Sequence, residues 1–226
     1  MPQPSGFPKL RQMSFPITNR WRFHIALSAL ILVSKSFSAE EPVLGEKIRD
    51  ISPDQKFALR ISYDQKENER IAAEMKKDPG EHPLPDGMFS RAVTEIDLVS
   101  LPAKEKVLEL YKPDMGTNFG DLKLLWTSDS RWFAFYYSEL RTGYTSVFHE
   151  QDGKFTKVAD YDQLHANFNA DFRNEWVTPI KWVKPGVLIL QHEAIGNDHV
   201  KFEFTARIDD DGKVHVIGQK KLKLKS

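Results

Sequence analysis

The chain has 226 residues, no cysteine, and 32 basic side chains against 32 acidic ones. Without cysteine it can form no disulfide, no thiolate metal site, no cysteine nucleophile and no acylated lipoprotein anchor. The charge is unevenly placed: Lys9, Arg11, Arg20, Arg22 and Lys35 stand in the first 38 residues with no acid among them, which leaves 27 basic against 32 acidic side chains and a net of −5 in the rest. A mildly acidic domain is a poor partner for nucleic acid, whose grip on proteins comes mainly from basic groups displacing counterions.

At the N-terminus Lys9, Arg11, Arg20 and Arg22 precede a mostly apolar stretch, Phe23 to Val33, and small residues follow at Ser34, Ser36, Ser38 and Ala39. That is the order of a cleavable secretory signal. At 11 residues the stretch falls short of the roughly 20 that span a bilayer. A cut before Ala39 places Ser36 and Ser38 at the two small-residue positions, and Met13 lies close enough to the basic region to be an alternative start. Residues 1–38 are therefore read as a signal peptide and 39–226 as one exported domain, periplasmic or secreted, with no stable membrane anchor after cleavage. Its length suffices for a core without staples.

Along this domain, apolar runs and polar turns alternate as in β-hairpins. Lys47–Ser52 leads through Pro53-Asp54-Gln55-Lys56 into Phe57–Ser62. A charged segment, Gln65–Lys77, follows, and Ile71, Ala72 and Met75 would line one face of a helix. A loop through Pro79, Gly80, Pro83, Pro85 and Gly87 closes this 63–90 insertion. Val93–Leu101 then pairs with Lys106–Leu110, and Leu122–Thr127 leads through Ser128-Asp129-Ser130-Arg131 into Trp132–Tyr137. Tyr144–Glu150 pairs with Lys154–Val158 across Asp152-Gly153, a dipeptide suited to positive φ. Asp160–Glu175, with Asp160 or Asp162 as N-cap and Leu164, His165, Phe168 and Phe172 at helical spacing, predicts a short helix. Pro179–Val183 turns through Lys184-Pro185-Gly186 into Val187–Leu190, and Lys201–Ile208 pairs with Lys213–Ile217 across Asp211-Gly212. The tail Lys220, Lys221, Lys223, Lys225 alternates with Leu222 and Leu224, the pattern of a half-solvated strand.

These runs fall into three similar units, about 45–111, 119–160 and 176–218, each reading as four antiparallel strands. Ile51, Trp126 and Trp182 occupy the same place in the three, at the end of the first strand, where a large residue suits a plug between packed sheets. The turns Ser52-Pro53-Asp54-Gln55-Lys56-Phe57-Ala58 and Trp126-Thr127-Ser128-Asp129-Ser130-Arg131-Trp132-Phe133-Ala134-Phe135 resemble the WD-like β-propeller repeat of Tol-translocation and prolyl oligopeptidase propellers. In that repeat a Trp/Phe-Ser-Pro-Asp-Gly-Lys turn links the first two strands of a blade. The third unit departs from it, with Pro185 in place of the Asp. The resemblance implies an all-β, propeller-like array of about three four-stranded antiparallel blades with a short helical insertion, and it carries over no catalytic residue. Closed propellers have four to eight blades, so three imply an open arc, a different completion by the strand at Lys220–Lys225 and the connecting segments, or ends covered by a partner or by a second copy in a homo-oligomer.

Chemistry is sparsely signalled. His192-Glu193-Ala194-Ile195-Gly196-Asn197-Asp198-His199 gathers two histidines and two acids, and His192, Glu193, Asp198 and His199 are the candidate binding residues. Their spacing does not match the helical His-Glu-x-x-His of zinc proteases, and the segment reads as a polar loop joining two strands. Asp209-Asp210-Asp211-Gly212 lacks the later acid of a calcium loop and reads as a hairpin turn. His82, His149 and Glu150 have no assignable partner. There is no Gly-rich phosphate loop and no Gly-x-Ser-x-Gly elbow, so no catalytic residue, metal or cofactor is assigned. The expectation is a non-catalytic binding module of the bacterial envelope, recognising an envelope protein or a glycan through loops at one end of its sheets, with the 64–90 insertion as the leading loop. The alternative is a secreted or periplasmic hydrolase with its site near His192 to His199.

Overall fold

The computed structural model describes residues 42–77, 83–84, 86–114, 117–168 and 172–224. The segment expected to be a signal peptide lies outside them, as do His82 and Lys225. Among the described residues no helix is long and apolar enough to cross a membrane.

Three four-stranded antiparallel meanders make up the domain. The first contains β1 (Leu44–Arg49), β2 (Phe57–Asp64), β3 (Val93–Ser100) and β4 (Lys106–Tyr111). The second contains β5 (Phe119–Trp126), β6 (Trp132–Glu139), β7 (Thr142–Gln151) and β8 (Lys154–Ala159). The third contains β9 (Phe172–Lys184), β10 (Val187–Gly196), β11 (His199–Ile208) and β12 (Val214–Lys221). The sequence suggests three separate sheets, and this is corrected in one respect: a short parallel pairing of Thr142 and Gly143 with Glu175 and Trp176 joins the second and third meanders into one eight-stranded sheet. Neither sheet closes on itself.

Two apolar layers hold the units together. Leu59, Ile61, Ile96 and Leu98 of the first unit pack against Phe119, Leu124, Phe133, Phe135 and Phe148 of the second. Trp132, Ala134 and Val147 of the second pack with Val177, Leu188, Leu190, Phe204 and Ala206 of the third. Alternate residues of β6 thus enter different layers, which is why it reads as an unbroken apolar run: a strand covered on both faces has no wet side to mark with polar residues. Along β10, by contrast, Leu188, Leu190, His192 and Ala194 are buried while the residues between them are less so.

The first two turns are built alike. Ser52 Oγ donates to Asp54 Oδ1 at 2.7 Å, which also accepts the Lys56 amide at 3.2 Å. Thr127 Oγ1 donates to Asp129 Oδ1 at 2.5 Å, which accepts the Arg131 amide at 3.1 Å. Gln55 and Ser130 take equivalent left-handed conformations, φ 61 and 62, where the resembled repeat places glycine. The two turns also touch, the Asp54 amide donating to Ser130 Oγ at 3.0 Å. The third turn is simpler, a two-residue reversal through Pro185 and Gly186 with Gly186 at φ 71.

Two expectations about connecting segments change. The Asp160–Glu175 helix is reduced to a single 3₁₀ turn, Tyr161–Gln163, with Asp160 capping it in a capping box, and the chain is already extended in β9 from Phe172. The cap is real, but Phe172 and Glu175 find strand partners on β10 and β7, and sheet pairing outcompetes a four-residue apolar periodicity. The 64–90 insertion is partly a packing device. Its helix α1 (Gln65–Met75) starts at the N-cap Asp64, whose Oδ1 accepts the Glu67 amide at 3.1 Å, and buries Ile71 against Phe89 and Ala92. Beyond it Leu84 and Met88 plug the first apolar layer, while Asp86 pairs with Arg49 at 2.7 Å.

Strand directions put the two longest connections, between β2 and β3 and between β8 and β9, at one end, with the 112–118 link and the short β6–β7 and β10–β11 turns. The other end carries connections of two to seven residues, the longest being 50–56 between β1 and β2.

Candidate functional site

The expected His192–His199 loop is a hairpin. Residues through Gly196 belong to β10 and His199 opens β11, with Asn197 and exposed Asp198 forming the turn. The candidates divide as a consequence, because strand residues of opposite parity face opposite sides. Glu193 lies on the face turned away from the second unit, accepting His199 Nε2 and Lys201 Nζ, each at 2.8 Å. These three line a groove of about 480 Å³ with Gln191, Leu222, Lys223 and Leu224. Burial alone would raise the Glu193 carboxyl, but its bonds to Lys201 and His199 outweigh it and hold the group below its usual range. Asp198 joins neither group through its side chain.

His192 faces inward and is 1 % exposed. Glu175 is brought beside it by β9, where it pairs with Ala194, two residues along β10. The 160–171 link lays Tyr161 and His165 over the pair. Glu175 Oε1 is 3.1 Å from His165 Nδ1 and 2.6 Å from His192 Nε2, and Oε2 accepts the Tyr161 hydroxyl. On its other edge His192 Nδ1 accepts the amide of Ala166 at 3.1 Å, so that nitrogen offers its lone pair and the ring proton sits on Nε2. Close as Nε2 and Oε1 are, no hydrogen bond forms between them, and Nε2 is left without one. Phe168, Phe172 and Phe204 ring the imidazole, with Phe168 edge-on at 4.8 Å.

Burial alone would raise the Glu175 carboxyl, but His165, His192 and Tyr161 outweigh it and hold the group far below the usual carboxylate range. The same contact, after desolvation, pushes the Tyr161 phenol up. The cluster is thus a buried carboxylate shared by two imidazoles and a phenol, and His165, about a third exposed on its side chain, is its outlet to solvent. Its three nitrogen and oxygen donors lie within 4.8 Å of one another, so a metal ion is a chemically possible occupant.

Sequence reasoning placed His192 in the wrong setting and missed Glu175 altogether. The available signal was the period-two run Leu188, Leu190, His192, Ala194, which sets a histidine on an apolar face. Glu175 and His165 are far from His192 in sequence, and nothing local links them. Two other histidines find partners: His149 stacks on Trp132 with ring centroids 3.9 Å apart, and His215 Nε2 lies 3.1 Å from Asp209 Oδ2. Glu150 pairs with Arg131 at 3.0 Å. The 209–212 run closes the β11–β12 hairpin, with Gly212 donating to the Asp209 carbonyl.

A scan against models of known protein families matches none, and a search of curated proteins finds no significant match.

Proposed function

We propose that the chain is an exported, non-catalytic binding module of the bacterial envelope, a three-bladed propeller-like array that meets its partner, an envelope protein or a glycan, with the end carrying the long connections. The observation behind this reading is the asymmetry of the two ends. Tight turns spend residues only on reversing the chain, whereas long connections in compact folds tend to carry recognition. At the long-connection end Asp64, Glu67, Arg91, Thr94 and Lys112 line a cleft of about 700 Å³. The blade reading rests on the matched turns and on the recurrence of one contact between units: Trp126 Nε1 donates to the Asp50 carbonyl at 2.8 Å, and Trp182 Nε1 donates to the Leu125 carbonyl at 2.9 Å.

An open array leaves two outward faces. That of the first unit is covered by charge, with Arg60 2.6 Å from Asp97 and Lys106 2.5 Å from Glu95. Charges on such a face oppose pairing with another sheet, which supports a monomer.

Expression with the native N-terminus in a Gram-negative host, with a photocrosslinking residue at Lys112 or at Lys56, tests the proposal. The expected result is periplasmic protein beginning at Ala39, monomeric by light scattering, with an envelope adduct from position 112 and none from 56. Uncleaved cytoplasmic protein, or equal labelling from both ends, would overturn it. Hydrolytic activity lost on joint replacement of His192, Glu193 and His199 would favour the alternative.

A further inference from the structure

We propose that His165, Glu175 and His192 form a binding site for a divalent transition-metal ion of the zinc type, with one coordination position open to solvent beside His165. The site lies at the end that carries the β8–β9 connection, but it rests on ligand geometry alone and not on the binding role above.

Two imidazole nitrogens and a carboxylate oxygen are a donor set that zinc accepts at bond lengths of roughly 2.0–2.2 Å, so that neighbouring ligand atoms stand about 3.2 Å apart. The separations found are 2.6 and 3.1 Å from Glu175 Oε1 to the two nitrogens, with all three ligand atoms within 4.8 Å of one another, so loading requires the carboxylate to draw back from His192 and the two imidazoles to close on the ion. A second observation points the same way. His192 Nε2, in a side chain 1 % exposed, is among the buried polar atoms left without a hydrogen bond, and it is aimed at the focus of the cluster. Buried polar atoms in folded proteins almost always have well-aligned partners, and an ion at the focus gives this one such a partner in place of the off-axis Glu175 oxygen 2.6 Å away. Glu175 is held in place by the hydroxyl of Tyr161 on its other oxygen, as metal-binding carboxylates commonly are by an outer hydrogen bond. The Phe168, Phe172 and Phe204 rings keep the His192 side dry. Three protein ligands, one of them partly exposed, describe an open site rather than a closed structural one.

One contact opposes loading. Ligation through Nε2 moves the ring proton of His192 to Nδ1, where it faces the Ala166 amide and abolishes the 3.1 Å hydrogen bond. Losing one such bond lowers affinity on the order of tenfold, and it supplies a signature, because the Ala166 amide loses its acceptor when metal enters.

The test is titration of chelator-treated protein with Co²⁺ and Zn²⁺, read by visible absorption, by metal analysis after gel filtration and by the amide resonance of Ala166. The expected result is one equivalent of Co²⁺ with ligand-field bands that zinc displaces, and a shifted Ala166 amide. His165→Ala and Glu175→Gln each weaken binding at least a hundredfold, while Glu193→Gln and His199→Ala leave it unchanged. Because Glu175 is buried, folding of each variant is checked by circular dichroism, and the partly exposed His165→Ala carries the test if Glu175→Gln unfolds. Absence of a stoichiometric ion, or binding that survives His165→Ala and disappears with His199→Ala, overturns the proposal.

Discussion

Trp182 reaches back across a unit boundary and donates its indole N–H to the carbonyl of Leu125, and Trp126 does the same one unit earlier to the carbonyl of Asp50. Asp50 and Leu125 each immediately precede the position that the tryptophans themselves occupy in the repeat, so both bonds express one rule: each unit is tied to the residue before its predecessor's plug. Among the described residues no unit precedes that of Ile51, which is 52 % exposed.

Replacement of either tryptophan by phenylalanine keeps an aromatic plug and deletes the donor, leaving a partly buried carbonyl unpaired. Each change costs about 1–2 kcal/mol, and the double variant costs close to the sum because the bonds lie on opposite sides of the second unit. Ile51→Ala, in the same repeat position, stays within about 0.5 kcal/mol of the parent. Urea unfolding of the four proteins checks this, and an equal loss for Ile51→Ala would show that the position matters for reasons other than the tie.

The paired turns make a sharper comparison. Gln55 and Ser130 share a left-handed backbone, which costs a non-glycine residue more than glycine. Gln55→Gly is expected to stabilise by about 0.5–1 kcal/mol. Ser130→Gly gains the same relief but removes the hydroxyl that accepts the Asp54 amide at 3.0 Å, so its net effect is zero or a loss. Thermal melting of the two variants separates them, and a gain in both would mean that the bond between turns contributes nothing.

What the sequence disclosed followed from short-range order. Hairpins closed by Asp152-Gly153 and Asp211-Gly212, the N-cap at Asp160, the helical face of Ile71 and the equivalent placing of Trp126 and Trp182 are all set by neighbours within a few residues. The extent of β9 was not, because its outer half is stabilised by pairing with β10 and β7 rather than by its own polar-rich sequence. The buried cluster was illegible for the same reason. Glu175 and His192 meet only once that pairing exists, and His165 joins them only because residues 160–168, read as part of a helix, form a single 3₁₀ turn and then run beside them.

The pH dependence of stability follows from groups that folding moves away from their ordinary titration. His149, buried and stacked on Trp132, is held below its usual 6.5 mainly by desolvation, with Asp210 pulling the other way. Below pH 6.5 the unfolded chain therefore binds more protons at this residue than the folded one, and stability falls as pH falls through that range. Glu175, depressed in the fold, adds a further loss once the pH drops below its usual 4.5. Tyr136, Tyr137 and Tyr161 are raised by burial, so their contribution is complete below pH 10.0 and is lost as pH climbs above it. His149→Phe keeps the stack on Trp132 and removes the titration. The urea midpoint of the parent is expected to fall between about pH 7.5 and pH 5.5, and that of His149→Phe to fall less. Equal slopes in the two proteins would place the acid sensitivity elsewhere, and a steeper slope in the variant would mean that the ring is protonated in the fold, with Asp210 prevailing over burial.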